Sequence, residues 1–336
     1  MADIRYLDAI RTALEDELAA DDAVCLLGED ITLGGPFGAT KGLVDRFGEW
    51  RIRNTPISEA TVVGLAVGAA LTGARPVVEV MFIDFITLAM DQLVNHAAKL
   101  HYMSGGALSV PLTIRAQFGA TGGFGAQHSQ SLEAWFAHVP GLRVLAPSTP
   151  ADAYAALRAA IRADDPVLYL EHRGLYWERG EQADPAAADP WRVRVRRPGR
   201  DVTILAWSRM VSLALEAADR LAADGIEAEV VDIRALSPLD LEGIVASARR
   251  TRRVAVVHEA VTTGGLGAEI AAAITEAAFG DLAAPVLRIG APFAPPPAGP
   301  ELEALFVPSV DRVVEATCAL VRGSAPASVG VAPTSA

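Results

Sequence analysis

The stretch Thr55-Pro56-Ile57-Ser58-Glu59 is followed by a run of small and apolar residues, Gly64-Leu65-Ala66-Val67-Gly68-Ala69-Ala70. This order predicts a slim, nearly uncharged helix that begins close to a single carboxylate, that of Glu59. A carboxylate at the mouth of an apolar cleft keeps a raised pKa and can exchange a proton with a bound heterocycle. The alternative is that Glu59 only stabilises the positive end of the helix dipole.

Strand-like and helix-like patterns alternate on both sides of this helix, which predicts an α/β fold with mainly parallel, doubly wound sheets. The first half contains the strand patterns 24–28, 76–82, 110–115, 142–146 and 166–171 and the helix patterns 7–18, 58–73, 86–102 and 151–163. The second half contains the strand patterns 202–207, 228–233, 254–258 and 286–289 and the helix patterns 211–224, 241–249, 267–278 and 309–321. We therefore predict a first domain at 1–178, a linker at 179–200, a second domain at 201–322 and a disordered tail at 323–336.

The composition indicates a soluble enzyme with large buried surfaces. Of the 336 residues, 51% are hydrophobic and 21% are charged, and the formal net charge is −12. This negative charge argues against nucleic acid as a partner, because affinity for phosphate backbones comes from clustered Lys and Arg. Cys25 and Cys318 are isolated thiols, the amino terminus lacks a signal-peptide pattern, and no segment is apolar enough to span a bilayer. We expect a cytoplasmic protein, part of whose hydrophobic surface is a subunit interface.

Two phenylalanines lie at the end of the strand pattern 76–82, in the stretch Glu79-Val80-Met81-Phe82-Ile83-Asp84-Phe85. Ligands of open parallel sheets bind beyond the carboxyl ends of the strands. Phe82 or Phe85 could therefore stack against a flat heterocycle, although core packing is the usual role of an isolated phenylalanine at such a place.

His128 follows a glycine-rich loop, Gly119-Ala120-Thr121-Gly122-Gly123-Phe124-Gly125, and begins the motif His128-Ser129-Gln130. Glycines let the backbone approach a ligand closely, and histidine titrates near neutral pH. Such a histidine could orient a carboxylate substrate or move a proton, although an isolated histidine is more often structural. The loop does not fit a dinucleotide fingerprint, because no third glycine follows Gly123-Phe124-Gly125 at the required spacing.

Taken in order, these motifs resemble the β subunit of the thiamine-dependent 2-oxo acid dehydrogenases, the family of the pyruvate, branched-chain and acetoin enzymes. Further matches are Met103-Ser104-Gly105-Gly106, His138-Val139-Pro140-Gly141-Leu142 and His258-Glu259-Ala260, and the resemblance extends from about Tyr6 to Val321. It implies a transketolase-like pyrimidine-binding domain followed by a transketolase-like C-terminal domain.

The resemblance also implies roles for individual residues. Glu59 would engage a nitrogen of the aminopyrimidine ring of thiamine diphosphate, Phe85 or Phe82 would stack on that ring, and His128 would act on the substrate or on a proton. Some members of the family hold a structural potassium ion through backbone carbonyls. The matching positions here are Leu112, Ala160, Ala163 and Asp165.

The family binds the diphosphate through Mg²⁺ with a Gly-Asp-Gly motif, which neither Gly28-Glu29-Asp30 nor Gly280-Asp281-Leu282 matches. The resemblance implies that a separate α subunit supplies this half of the site in an α2β2 heterotetramer. It also implies that the acyl group passes to a lipoyl acyltransferase core.

The substrate stays open among pyruvate, a branched-chain 2-oxo acid and acetoin. Two other functions stay open from the residues alone: a nicotinamide-dependent Rossmann oxidoreductase, and a non-catalytic scaffold subunit of a multienzyme complex.

Overall fold

The computed structural model describes residues 3–181 and 189–323. The predicted tail beyond Gly323 and the middle of the predicted linker therefore lie outside the described residues. The chain divides into two compact units. The first contains residues 3–118, 135–181, 189–190 and 236–238, and the second contains residues 119–134, 191–235 and 239–323. The predicted domain limits place 119–134 in the first domain, whereas its contacts group this segment with the second unit.

The strands are β1 (Asp3–Arg5), β2 (Val24–Gly28), β3 (Ile52–Asn54), β4 (Arg75–Phe82), β5 (Thr113–Phe118), β6 (Arg143–Leu145), β7 (Val167–His172), β8 (Arg179–Glu181), β9 (Arg194–Arg197), β10 (Val202–Ala206), β11 (Ala228–Asp232), β12 (Ala235–Ser237), β13 (Val254–Val261) and β14 (Leu287–Ala291). The α-helices are α1 (Tyr6–Ala20), α2 (Leu43–Phe47), α3 (Glu59–Leu71), α4 (Ile83–Ile86), α5 (Ala98–Met103), α6 (Glu133–Ala137), α7 (Pro150–Arg162), α8 (Arg209–Ala223), α9 (Leu241–Thr251), α10 (Leu266–Ala278), α11 (Pro300–Phe306) and α12 (Val310–Arg322). In the described part of the chain, none of these helices has the length and apolar character needed to cross a membrane.

The first unit is built on a seven-stranded sheet in the order β12-β6-β7-β5-β4-β2-β3. The pairs β2/β3, β2/β4, β4/β5, β5/β7 and β6/β7 are all parallel, which confirms the predicted mainly parallel sheet. Strands β4, β5 and β7 are buried along most of their length, as expected for a sheet covered on both faces. Parallel pairing also brings the carboxyl ends of β3, β2 and β4 to one edge of the sheet, where ligands of such sheets bind.

The second unit contains a five-stranded sheet in the order β14-β13-β10-β11-β9. Four of its strands run parallel, and β9 joins the edge antiparallel to β11. Helices α8 and α12 contribute apolar side chains to a buried cluster with this sheet, among them Val211, Leu221 and Val313. Each such side chain stabilises the fold by roughly 1.5–3 kcal/mol when fully buried.

Both ends of the predicted linker form short strands rather than irregular chain. Strand β8 pairs antiparallel with the amino-terminal β1, and β9 is the edge strand of the second sheet. Arg196 of β9 binds the buried Asp232 of β11 at 2.7 Å. A partner so distant in sequence is invisible to a local pattern, which shows only a polar, basic segment.

The predicted helix 86–102 is not a single α-helix. It consists of the end of α4, a 3₁₀ turn at Thr87–Ala89, a π-helical stretch at Asp91–Ala97 and α5. The π-helical stretch approaches α3 where α3 has a glycine, because a Cβ at Gly64 would lie 3.3 Å from Cγ of Gln92. Short π-helical stretches often occur at functional sites, and this one lies beside the helix that begins with Glu59.

Candidate functional site

Glu59 is the first residue of α3, and its side chain is half-buried. The chain reaches it from β3, and the Thr55 N–H donates a hydrogen bond to the Gly28 C=O at the end of β2 (3.0 Å). The Ser58 hydroxyl donates to the Pro56 C=O (3.1 Å) and makes no hydrogen bond to the helix start. The Glu59 carboxylate therefore lies where β2 and β3 end, at the positive end of the helix dipole.

A second carboxylate, that of Glu29, lies within electrostatic range of Glu59. Glu29 directly follows β2 and is half-buried. Burial raises the pKa of Glu29, and the negative charges of Glu59 and Asp30 raise it further. The sequence alone does not mark Glu29, because Gly28-Glu29-Asp30 does not match the diphosphate motif of the family. The available signal was its place directly after a strand, at the edge of the sheet where ligands bind.

Phe82 and Phe85 contact each other edge to face, with ring centroids 5.7 Å apart and planes at 86°. Phe82 is buried, and the Arg173 guanidinium lies over its ring at 5.0 Å from the centroid. Phe85 is only half-buried. The geometry therefore favours Phe85 over Phe82 as a ring that could stack on a flat ligand, and Phe82 as its support.

Two buried polar atoms close to α3 have no hydrogen-bond partner among the described residues: Thr55 Oγ1 and Gln92 Oε1. Thr55 precedes Glu59 by four residues, and Gln92 packs against Gly64 of α3. Buried polar groups are normally hydrogen-bonded, so orphaned ones indicate a polar ligand or water. Unpartnered oxygens beside the helix that begins with Glu59 are chemically suited to the N–H groups of a flat heterocycle that carries several nitrogen atoms, such as an aminopyrimidine.

A buried ion network joins three neighbouring strands of the same sheet. Arg115 of β5 binds Glu79 of β4 (Nη1–Oε2 2.6 Å) and Glu171 of β7 (Nε–Oε1 2.7 Å). The Tyr176 hydroxyl donates to Glu171 (2.8 Å). Burial raises the pKa of Glu79, although the Arg115 charge opposes that rise. The network explains why a glutamate interrupts the otherwise apolar pattern of β4.

His128 lies on the segment 119–134, here called the histidine loop, which belongs to the second unit, whereas the predicted glutamate and phenylalanines belong to the first. The loop is closed at its base by the Gly119 N–H, which donates to the Gln130 C=O (3.1 Å). The His128 N–H donates to the Gly125 C=O (3.2 Å), and its side chain is half-buried. The local backbone thus turns tightly just before His128.

Two carboxyl groups are buried here, that of Glu133 near the end of the histidine loop and that of Glu259 on β13. Glu133 accepts a hydrogen bond from Nε1 of Trp207 (3.3 Å) and is fully buried. Burial raises the pKa of Glu133 to about 7, and the Glu259 charge contributes to the rise. In the sequence Glu259 stands out only as part of a family motif, because a buried carboxylate pair leaves no local pattern.

The backbone carbonyls predicted to bind potassium already accept hydrogen bonds within the protein at three of the four positions. The Leu112 C=O accepts from the Val167 N–H (2.8 Å), and the Ala160 C=O accepts from the Ala163 N–H (3.2 Å). The Ala163 C=O accepts from Nη1 of Arg75 (3.0 Å). A potassium ion would therefore share the Ala163 carbonyl with a guanidinium group. Over the described ranges, no group of three or more His, Cys, Asp or Glu side chains is placed to hold a metal ion.

Residues 2–178 match the family model of the transketolase pyrimidine binding domain, and residues 192–313 match that of the transketolase C-terminal domain. The mitochondrial pyruvate dehydrogenase E1 component subunit beta-2 of Oryza sativa subsp. japonica is 46% identical, with 92% of this chain and 84% of that protein covered. The acetoin:2,6-dichlorophenolindophenol oxidoreductase subunit beta of Cupriavidus necator is 43% identical, with 94% and 96% covered. The 2-oxoisovalerate dehydrogenase subunit beta of Bacillus subtilis is 42% identical, with 93% and 97% covered. The chain belongs to this family of dehydrogenase β subunits.

The membership confirms the resemblance inferred from the motifs. A solved structure described as a split gene transketolase, inactive beta4 tetramer, is similar to this β-subunit chain with a TM-score of 0.76 and 27% identity, over 96% of this chain and 98% of that one. The predicted transketolase-like fold with two mainly parallel sheets is confirmed as well. The relatives of this β-subunit chain do not favour the nicotinamide-dependent oxidoreductase or the non-catalytic scaffold.

Proposed function

We propose that this chain is the β subunit of a thiamine diphosphate-dependent 2-oxo acid or acetoin dehydrogenase that is active together with an α subunit. The observation that carries the proposal is the pair Glu29 and Glu59 in a pyrimidine-binding domain. Glu29 follows β2, and Glu59 follows β3 as the first and only charged residue of α3. The relatives are named for pyruvate, acetoin and 2-oxoisovalerate, so the substrate is one of these three classes.

Glu59 would hold or move a proton at a nitrogen of the aminopyrimidine ring, because its half-buried carboxylate lies at the ligand-binding edge of the sheet. Burial and the Glu59 charge both raise the pKa of Glu29, so Glu59 would act beside a second carboxyl group whose pKa responds to its charge. When bound, thiamine diphosphate supplies the electron sink for breaking the bond beside the keto carbon.

Phe85 would orient the ring of the cofactor by stacking, and Phe82, which contacts Phe85 edge to face, would hold Phe85 in place. Thr55 Oγ1 and Gln92 Oε1 would gain the hydrogen-bond partners that they lack among the described residues. The apolar residues of α3 would exclude water from that side of the ring. His128 would orient the substrate carboxylate or move a proton during acyl transfer, since imidazole both accepts and donates protons.

The remaining half of the site would come from partners. An α subunit would hold the diphosphate and Mg²⁺ in an α2β2 heterotetramer, and a lipoyl group of the acyltransferase core would accept the acyl group.

We further propose potassium at the carbonyls of Leu112, Ala160, Ala163 and Asp165. Exchange of K⁺ for Na⁺ should then lower the melting temperature, and an unchanged value would reject the site. We place the protein in the cytoplasm, which cell fractionation tests.

The proposal is tested by titrating thiamine diphosphate and Mg²⁺ calorimetrically into this chain alone and into its complex with a co-expressed α subunit. We expect tight binding only in the complex, followed by decarboxylation or cleavage of one of the three substrate classes. Tight binding by the chain alone would contradict the split site. Absence of binding in both preparations would contradict the function itself.

A further inference from the structure

The histidine loop borders a cavity of about 410 Å³ in the second unit. It is lined by residues 129–132, which directly follow His128, by the end of β13 and by residues 293–296. The Ser129 hydroxyl is buried and has no hydrogen-bond partner in the part of the chain that the structure describes. Ser129 is buried, but on the cavity side no side chain of the described residues packs against residues 129–132.

Polar contacts fix the base of the loop instead. Glu259 Oε1 accepts a hydrogen bond from the Ala120 N–H, and the Ala120 C=O accepts one from Nη1 of Arg209 (3.2 Å). Glu259 belongs to β13 and Arg209 begins α8, so the two backbone groups of one loop residue are bound by two rigid elements. Glu259 is only 4% exposed, so water has little access with which to replace its hydrogen bond.

The tip of the loop is held separately. The Gly123 N–H donates to Oε2 of Glu303 on α11 (2.9 Å), and Phe124 forms a backbone bridge with Ala298. Gly123 has a φ of +72°, and a Cβ there would lie 2.9 Å from the Gly299 nitrogen. Base and tip are thus both fixed, while residues 129–132 face the cavity.

We propose that Glu259 is a positioning residue, which holds the base of the histidine loop through Ala120 and thereby sets where His128 lies. The inference rests on the proposed function in one respect, since it is in that reaction that His128 would act. Without the carboxylate, the loop has room to relax toward the cavity, because that side of the loop is not packed. The closing Gly119–Gln130 hydrogen bond lies directly beside Ala120, so a shift at Ala120 is transmitted to the residues around His128.

The test compares variants in the complex with the α subunit. Glu259→Ala should lower kcat by about 10- to 100-fold, while the cofactor Kd changes by less than about threefold, because a misplacement of about 1 Å can cost that much in rate. Glu259→Gln keeps an oxygen that accepts from the Ala120 N–H and should restore most of kcat. In a His128→Ala background, Glu259→Ala should cause no further loss of rate, because the two residues act through one group.

Hydrogen exchange supplies a readout that does not depend on turnover. In the full chain, alone and in the complex, the amides of residues 119–125 should exchange faster in Glu259→Ala than in the wild type. Glu301→Ala, on the exposed side of α11, is the matched control and should change neither exchange nor rate. If Glu259→Ala does not fold, Glu259→Leu, which keeps much of the side-chain volume but cannot accept from the Ala120 N–H, is compared in the same way.

Three outcomes would each overturn the inference: unchanged turnover in Glu259→Ala, losses of rate that multiply in the double variant, and unchanged hydrogen exchange at the loop base. A neutral His128→Ala would overturn it as well, because no group would remain for Glu259 to position. If the wild-type complex acts on none of the three substrate classes, the proposed function fails. The exchange experiment then still decides whether Glu259 holds the loop.

Discussion

The indole ring of Trp207 lies parallel to the imidazole ring of His258, with centroids 5.4 Å apart and planes that differ by 4°. Both side chains are buried in the second unit, and His258 is completely inaccessible to water. A Cβ at Gly267 would lie 2.6 Å from Nε2 of His258, so the ring needs glycine beside it. Burial, together with the charge of Arg288, lowers the pKa of His258 to about 4.

We expect His258 to lower the free energy of unfolding as the pH falls from 6.5, the ordinary pKa of histidine, to about 4, its pKa in the folded state. In this window the unfolded chain binds a proton that the folded chain excludes, so the free energy of unfolding decreases by up to about 3 kcal/mol. Urea unfolding of the wild type and of His258→Asn at about pH 7.5 and about pH 4.5 measures this loss. The variant should be less stable than the wild type at the higher pH. It should lack the decrease in the free energy of unfolding that His258 causes at the lower pH. An equal acid loss in both proteins would contradict the prediction.

Glu133 should have the opposite effect. Burial raises its pKa from 4.5 to about 7, so in this window the folded chain retains a proton that the unfolded chain has released. The free energy of unfolding therefore decreases as the pH rises from 4.5 through about 7, by about 3 kcal/mol in total. Glu133→Gln keeps the shape and cannot ionise. The difference between its melting temperature and that of the wild type should increase, in favour of the variant, by several degrees from about pH 5 to about pH 8. A difference in melting temperature that stays constant across this pH range would show that Glu133 does not titrate as proposed.

Glu59→Gln should lower the turnover of the complex by about a hundredfold or more, because the amide cannot exchange a proton with the cofactor ring. Cofactor affinity should change far less, since the side chain keeps its size and its oxygen acceptor. Steady-state rates and calorimetric cofactor titration separate the two effects. Glu49→Gln, at an exposed position of the same unit, serves as the control. Near-full turnover in Glu59→Gln would remove Glu59 from the mechanism.

Arg115→Met should destabilise the first unit by about 3–5 kcal/mol, because it leaves the buried Glu79 and Glu171 without their cation. The triple variant Arg115→Met, Glu79→Gln, Glu171→Gln should recover much of that loss, since it removes the unpaired charges as well. Denaturant unfolding of both variants measures the difference. A triple variant no more stable than Arg115→Met would show that packing, rather than charge, dominates at this position.

The longer elements were predictable because each carries its own periodic or continuous apolar pattern, as in β4 and α7. The short strands β8 and β9 were not, since three or four residues become a strand only through the neighbour with which they pair. The sequence also did not predict that the helix at 86–102 is broken. The break accompanies the packing of Gln92 against Gly64, a contact between two elements that are far apart in the sequence.

The sequence by itself determined the family and the fold class, and it singled out Glu59, Phe85 and His128, because each stands in a contiguous motif. Only the tertiary structure decided that Glu29 lies near Glu59 and that Glu259 binds the histidine loop 139 positions away. The physical reason is that burial and charge act through space. A carboxylate acquires its pKa and its hydrogen-bond partners from strands that meet only when the sheet has formed.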